Sequence, residues 1–123
     1  MGFQYVVLRC VPRVDREEFV NVGVVLYCQA ADYLGCESRV DEARLAALDS
    51  DVDPAAVRSA LAAAEAVCRG DATSGAAGRT DLGTRFGFLS APRSTVVQPG
   101  PIHGGLTADP AAQLTKLLTT LVH

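Results

Sequence analysis

Two early runs of β-branched and aromatic residues, 3–11 and 20–29, constrain this chain more than any other feature of it. The first, Phe-Gln-Tyr-Val-Val-Leu-Arg-Cys-Val, favours a strand. Pro12 stops it, because proline cannot donate to a ladder. A charged connection over residues 12–19 leads to the second run, then Ala30-Ala31-Asp32 forms a short turn before a third strand over 33–37. A turn this short pairs the second and third strands as an antiparallel hairpin. Alternate side chains take opposite faces of a strand. One face is read as Val6, Leu8, Cys10, Val22, Val24, Leu26, Cys28, Leu34 and Cys36, all apolar, and it is expected to carry the helices. The other carries Phe3, Tyr5, Val7 and Arg9, with Asn21, Gly23, Val25 and Tyr27, then Tyr33, Gly35 and Glu37. That mixed face is too apolar to meet water alone, so another segment, a second subunit or a ligand is expected to cover it.

Helix signals fill the middle of the chain. Asp41 can cap Glu42–Leu48, and Asp53-Pro54 joins a cap acceptor to proline at the first helical position. Val57, Ala60, Leu61, Ala64, Val67 and Cys68 then recur at helical spacing as far as Gly70, a natural stop. Residues 70–80 read as a mobile loop. Leu82, Phe86 and Leu89 predict a third helix between Asp81 and Ser90, and residues 93–98 a fourth strand. The Pro-Gly-Pro-Ile-His-Gly-Gly connector over 99–105 is not expected to stay in a sheet. Asp109-Pro110 opens a last helix with Leu114, Leu117, Leu118 and Leu121 along one side. The order β-β-β-α-α-α-β-α predicts an α+β fold, an antiparallel sheet of about four strands with helices packed on one face. At 123 residues, the whole of 1–123 is expected to form a single domain.

Composition narrows the function classes. With 49% apolar and 20% charged residues the chain is of globular type. Eleven basic against fourteen acidic side chains, net −3, give no basic footprint for nucleic acid and no affinity for an anionic membrane surface. The start Met1-Gly2-Phe3-Gln4-Tyr5 has no signal-peptide pattern, and the longest apolar run, 24–28, is far short of a membrane helix, so a cytoplasmic protein is expected. Cys10, Cys28, Cys36 and Cys68 form no CxxC pair, and His103 and His123 complete no zinc spacing, so buried thiols are expected and no metal or cofactor. The glycines of 70–87 match neither GxxxxGK[ST] nor GxGxxG, which disfavours a nucleotide loop.

Two groups of polar residues remain as candidates. Arg9, among Tyr5 and Tyr27 and near Asn21, has the composition of a protein interface, and equally of a capped sheet face. Arg93-Ser94-Thr95 places a guanidinium beside two hydroxyls, suited to a phosphate or carboxylate, with pairing of Arg93 to Glu17 or Glu18 as the competing structural reading. His103 could move a proton beside that anion, or simply be a hydrogen-bonded loop histidine. Glu17 and Glu18 are adjacent on the approach to a strand, point oppositely and cannot easily share a metal ion. The leading expectation is therefore a non-catalytic binding or accessory module that self-associates or docks a protein through Tyr5, Arg9, Asn21 and Tyr27. The alternative is a small enzyme or anion sensor built on Arg93, Ser94, Thr95 and His103.

Three stretches carry a family likeness. Tyr5-Val6-Val7-Leu8-Arg9-Cys10-Val11-Pro12 runs into Glu17-Glu18-Phe19-Val20-Asn21-Val22-Gly23-Val24-Val25-Leu26. Later come Arg85-Phe86-Gly87-Phe88-Leu89-Ser90-Ala91-Pro92-Arg93-Ser94-Thr95 and Gln98-Pro99-Gly100-Pro101-Ile102-His103. Together they resemble the small bacterial family of domain of unknown function 3037, over nearly the whole chain. The resemblance brings no established activity and so no catalytic residue. It does imply a protein partner, because family members resemble operon companions of HipA-like kinases, and the Arg- and Ala-rich composition looks actinobacterial. Phe88 departs from the pattern, where a bulkier aromatic such as Trp is expected.

Overall fold

A computed structural model describes residues 1–123, the side chain of Val14 excepted. Its strands are β1 (Gly2–Cys10), β2 (Val20–Cys28), β3 (Tyr33–Ser38), β4 (Val97–Pro99) and β5 (His103–Leu106). Its helices are α1 (Glu42–Leu48), α2 (Pro54–Arg69), α3 (Leu82–Ser90) and α4 (Pro110–Leu121), with 3₁₀ turns at Val14–Arg16, Gln29–Ala31 and Ala72–Arg79. The sheet runs β3-β2-β1-β4, with β5 also paired to β1, and every pairing is antiparallel. The fold is α+β, as the sequence predicts.

Each α-helix starts from an aspartate. The Asp41 carboxylate accepts from Ala43 N at 3.0 Å, that of Asp53 from Ala55 N at 3.0 Å, that of Asp81 from Thr84 N at 2.8 Å and that of Asp109 from Ala112 N at 3.2 Å. Such caps satisfy donors the first turn leaves open, at about 1 kcal/mol apiece. The bonds from Thr84 also hold the Asp81 carboxyl below its ordinary range. Gly70, at φ 70°, ends α2 in the left-handed conformation.

Helices cover both faces of the sheet, which corrects the expectation of one helical face. Helices α1–α3 enclose a core of Val6, Leu8, Cys10, Val22, Val25, Leu45, Val57, Leu61 and Phe86, among others. Helix α4 crosses to the opposite face, where Leu114 and Leu118, with Val122 just beyond its end, pack on Phe3, Val24, Leu26 and Cys28. Gly35 on β3 lets the helix approach: a Cβ there would overlap Tyr33 Oη and stand 2.9 Å from Leu114 Cδ2.

The cross-strand phase also differs from the reading above. Val6 faces Val25 and Val7 faces Val24, so even positions of β1 share a side with odd positions of β2. Val24, Leu26 and Cys28 therefore turn to α4, and Tyr27 turns to α3. A β-bulge between Leu8 and Arg9 shifts the register, which sets Arg9 opposite Asn21 while Val22 stays with the α1–α3 core.

The connector over 99–105 does return to the sheet. Gly100 N donates to Val7 O at 2.8 Å, and His103–Leu106 then pairs along Gly2–Tyr5, so β4 and β5 form one interrupted edge strand. Residues 72–79 of the expected loop are wound into 3₁₀ turns. Among the described residues no helix is long and apolar enough to cross a membrane.

Candidate functional site

Helix α4 leaves the β1, β4 and β5 side of its sheet face partly open. Tyr5, Arg9 and Asn21 belong to this face and are half-buried. His103, opposite Tyr5 on β5, is exposed and stacks on the Tyr5 ring with centroids 5.3 Å apart, and Tyr5 in turn stacks on Phe3. Tyr27, expected beside them, lies on the other face, with its ring 5.6 Å from that of Phe86 on α3. Three of the four interface candidates thus share a surface.

The centre of that surface is Arg9. Its guanidinium lies over the Phe19 ring, 3.9 Å from the centroid. On Gly100 a Cβ would stand 2.6 Å from Arg9 Nη2, 3.1 Å from Cζ and 3.3 Å from Nε. The guanidinium therefore rests against both an aromatic ring and a glycine backbone, where an added Cβ would make it shift. No carboxylate pairs with it among the described residues, and its buried Nε has no hydrogen-bond partner. Other arginines are committed elsewhere, among them Arg13 to Asp15, Arg58 to Glu42, Arg69 to Glu65 and Asp71, and Arg85 to Thr80 O and Cys68 O.

Asn21 has a structural duty as well. Its Nδ2 donates to Leu121 O at 3.0 Å, and Arg39 Nη1 donates to Val122 O at 3.3 Å, so two polar side chains close the carbonyl end of α4. That bond fixes the amide, and its buried Oδ1 is left without a partner. Glu17 sits in the left-handed region at φ 55°, where a non-glycine residue carries strain of about 1–2 kcal/mol. The turn it makes precedes Phe19, which is 44% exposed over Arg9. Phe19 and Gly100 were not legible as site residues, because their role depends on pairing of the Pro-Gly-Pro segment with β1.

The second candidate group is divided by the sheet. Arg93 and Thr95 line a cleft between α2, α3 and β4, whereas His103 sits against Tyr5 on the α4 side, so the four residues do not converge. Arg93 pairs with neither Glu17 nor Glu18; it donates to Phe88 O and Ala91 O and stacks over Phe88 at 5.0 Å. Thr95 Oγ1 donates to Val97 O at 2.7 Å, and Ser94 is exposed. Ser90 donates back to Phe86 O within α3.

Burial keeps two of the four thiols protonated. Burial, followed by the charge of Cys68, pushes the Cys36 thiol far up; burial, followed by Glu65, pushes Cys68 up to about 12. Both are protonated near neutral pH and are poor nucleophiles there. No cluster of three or more metal-ligating side chains occurs among the described residues.

Comparisons with curated proteins and with solved structures gave no match. The family model described as "Protein of unknown function (DUF3037)" matches residues 5–122, nearly the whole chain. Arg9, Phe19, Asn21 and Gly100 all fall within that span, and the chain belongs to the DUF3037 family.

Proposed function

We propose that this protein is a non-catalytic association module that docks a partner protein through the open half of the α4 sheet face, with Arg9 receiving a partner's carboxylate. The observation behind this reading is the Arg9 guanidinium, held in place by Phe19 and Gly100 but without an acid of its own. A planar fork oriented in advance gives up little entropy when it takes a carboxylate in bidentate fashion. Around it, Phe19, Tyr5 and His103 supply aromatic area, and Ile102 is 52% exposed nearby in sequence, the mixture of arginine and aromatics in which binding energy concentrates. A HipA-like kinase is the partner that the family resemblance implies, and a second copy is the competing occupant.

Titration calorimetry against the HipA-like kinase from the same source, with light scattering of the chain alone, tests the reading. Micromolar binding that weakens about 30-fold or more in Arg9→Ala, and persists in the surface control Arg58→Ala, is the expected result. Binding indifferent to Arg9, or a chain that stays monomeric and ignores the kinase, would overturn it. A dimer sensitive to Arg9 would keep the surface and replace the partner.

A further inference from the structure

On the other side of the sheet, an open cleft of about 450 Å³ runs between α2 and α3, and one of about 220 Å³ continues it towards β4. Both are lined by Ala60, Ala63, Ala64, Leu89 and Arg93, so they form one trough with Arg93 at the join. The α2 wall is alanine except for Val67, and Thr73, Ser74 and Ala77 of the 3₁₀ turns border the larger part. Phe88, 48% exposed, borders the larger part, and Leu8 and Val97 the smaller. Among the described lining residues Arg93 is the one charged group.

The geometry points to a binding site for a small acid with an apolar tail, an aliphatic carboxylate whose head meets Arg93 and whose chain lies along the alanine wall. A trough of this size is within the roughly 300–1,000 Å³ of small-ligand sites, which are mostly apolar with a few placed polar groups. Arg93 is fixed by its bonds to Phe88 O and Ala91 O at the end of α3, and its remaining N–H groups have no partner among the described residues. With a cation at the join and no acid in either wall, the trough complements an anion and disfavours an amine. This site is independent of the Arg9 surface and stands or falls separately from it.

Octanoate is the probe, titrated into the ¹⁵N-labelled full chain beside octanol and octylamine, which share its tail and alter its head. Saturable shifts confined to residues 60–67 and 88–97 are expected, with octanoate at least tenfold tighter than either analogue. Arg93→Gln should abolish that preference while leaving weak binding of the tail. Ala63→Leu, at an exposed helical position, should fill the trough and weaken all three. The inference is overturned if octanoate gives no saturable shifts at millimolar concentration, if octanol binds as tightly, or if the shifts map to the α4 face. The wild-type comparison of head groups decides the matter even if a variant fails to fold.

Discussion

Replacing Gly100 with alanine isolates the contact on which the Arg9 surface is built. Gly100 is not in the left-handed region, so a methyl group there strains no backbone and acts only on what it meets. It meets the Arg9 guanidinium at 2.6 Å from Nη2 and 3.1 Å from Cζ, too close for the planar group to remain. The arginine must swing away from Phe19, losing a cation–π contact of about 0.5–2 kcal/mol. Repacking of its stem into a poorer rotamer adds about 0.5–1.5 kcal/mol. A total of about 1–3.5 kcal/mol corresponds, for a chain of this length, to a fall in Tm of roughly 3–18 °C. Circular dichroism melts and urea titrations measure it, and a double-mutant cycle with Arg9→Ala gives the mechanism. Once Arg9 is truncated there is nothing for the new methyl to strike, so Gly100→Ala should cost almost nothing in that background, a coupling of about 1 kcal/mol or more. An equal cost with and without Arg9 would show that Gly100 serves the backbone and would refute the reasoning.

Other perturbations probe the rest of the structure. Leu114→Ala removes a side chain 1% exposed between α4 and the sheet and should cost about 2–5 kcal/mol in urea denaturation, with increased exposure of Tyr5. Stability should decline as pH rises from about 9 towards 12: unfolded thiols release protons there while native Cys36 and Cys68 retain theirs, so stability is full below the unfolded pKa and fades above it. Cys68→Ala should flatten that decline, measured as urea midpoints across alkaline pH. At neutral pH, disulfide-exchange reagents should label Cys10, Cys28 and Cys68 in the folded chain far more slowly than after denaturation, since all three are buried.

Local chemistry was the legible part of this fold. Aspartates 41, 53, 81 and 109 announce their helices because capping is decided within four residues, and Gly70 marks its stop for the same reason. Strand identity was equally local, as the β-branched runs became β1 and β2. Relations between strands were not. The phase of β1 against β2 is set by the connection over residues 11–19 and by the bulge between Leu8 and Arg9, so a face drawn by parity within each strand joined the wrong halves. That error made Tyr27 a neighbour of Tyr5 when it belongs to α3. The amphipathic pattern of α4 showed which residues it buries, but nothing in Leu114, Leu117, Leu118 and Leu121 says which side of a sheet they cover. The proline pair at 99 and 101 read as the end of pairing, whereas the intervening Gly100 supplies the N–H that continues it. The Arg9 site depends on that continuation, which is why half of it was invisible in the linear chain.

Amide hydrogen exchange of the associated protein tests the docking surface most directly. Protection gained on complex formation should fall in three segments, residues 3–9, 17–21 and 98–106, which converge around Arg9, Phe19 and His103 although far apart in sequence. Protection confined to α1–α3, with those three segments unchanged, would contradict the assignment of this face as the site of association.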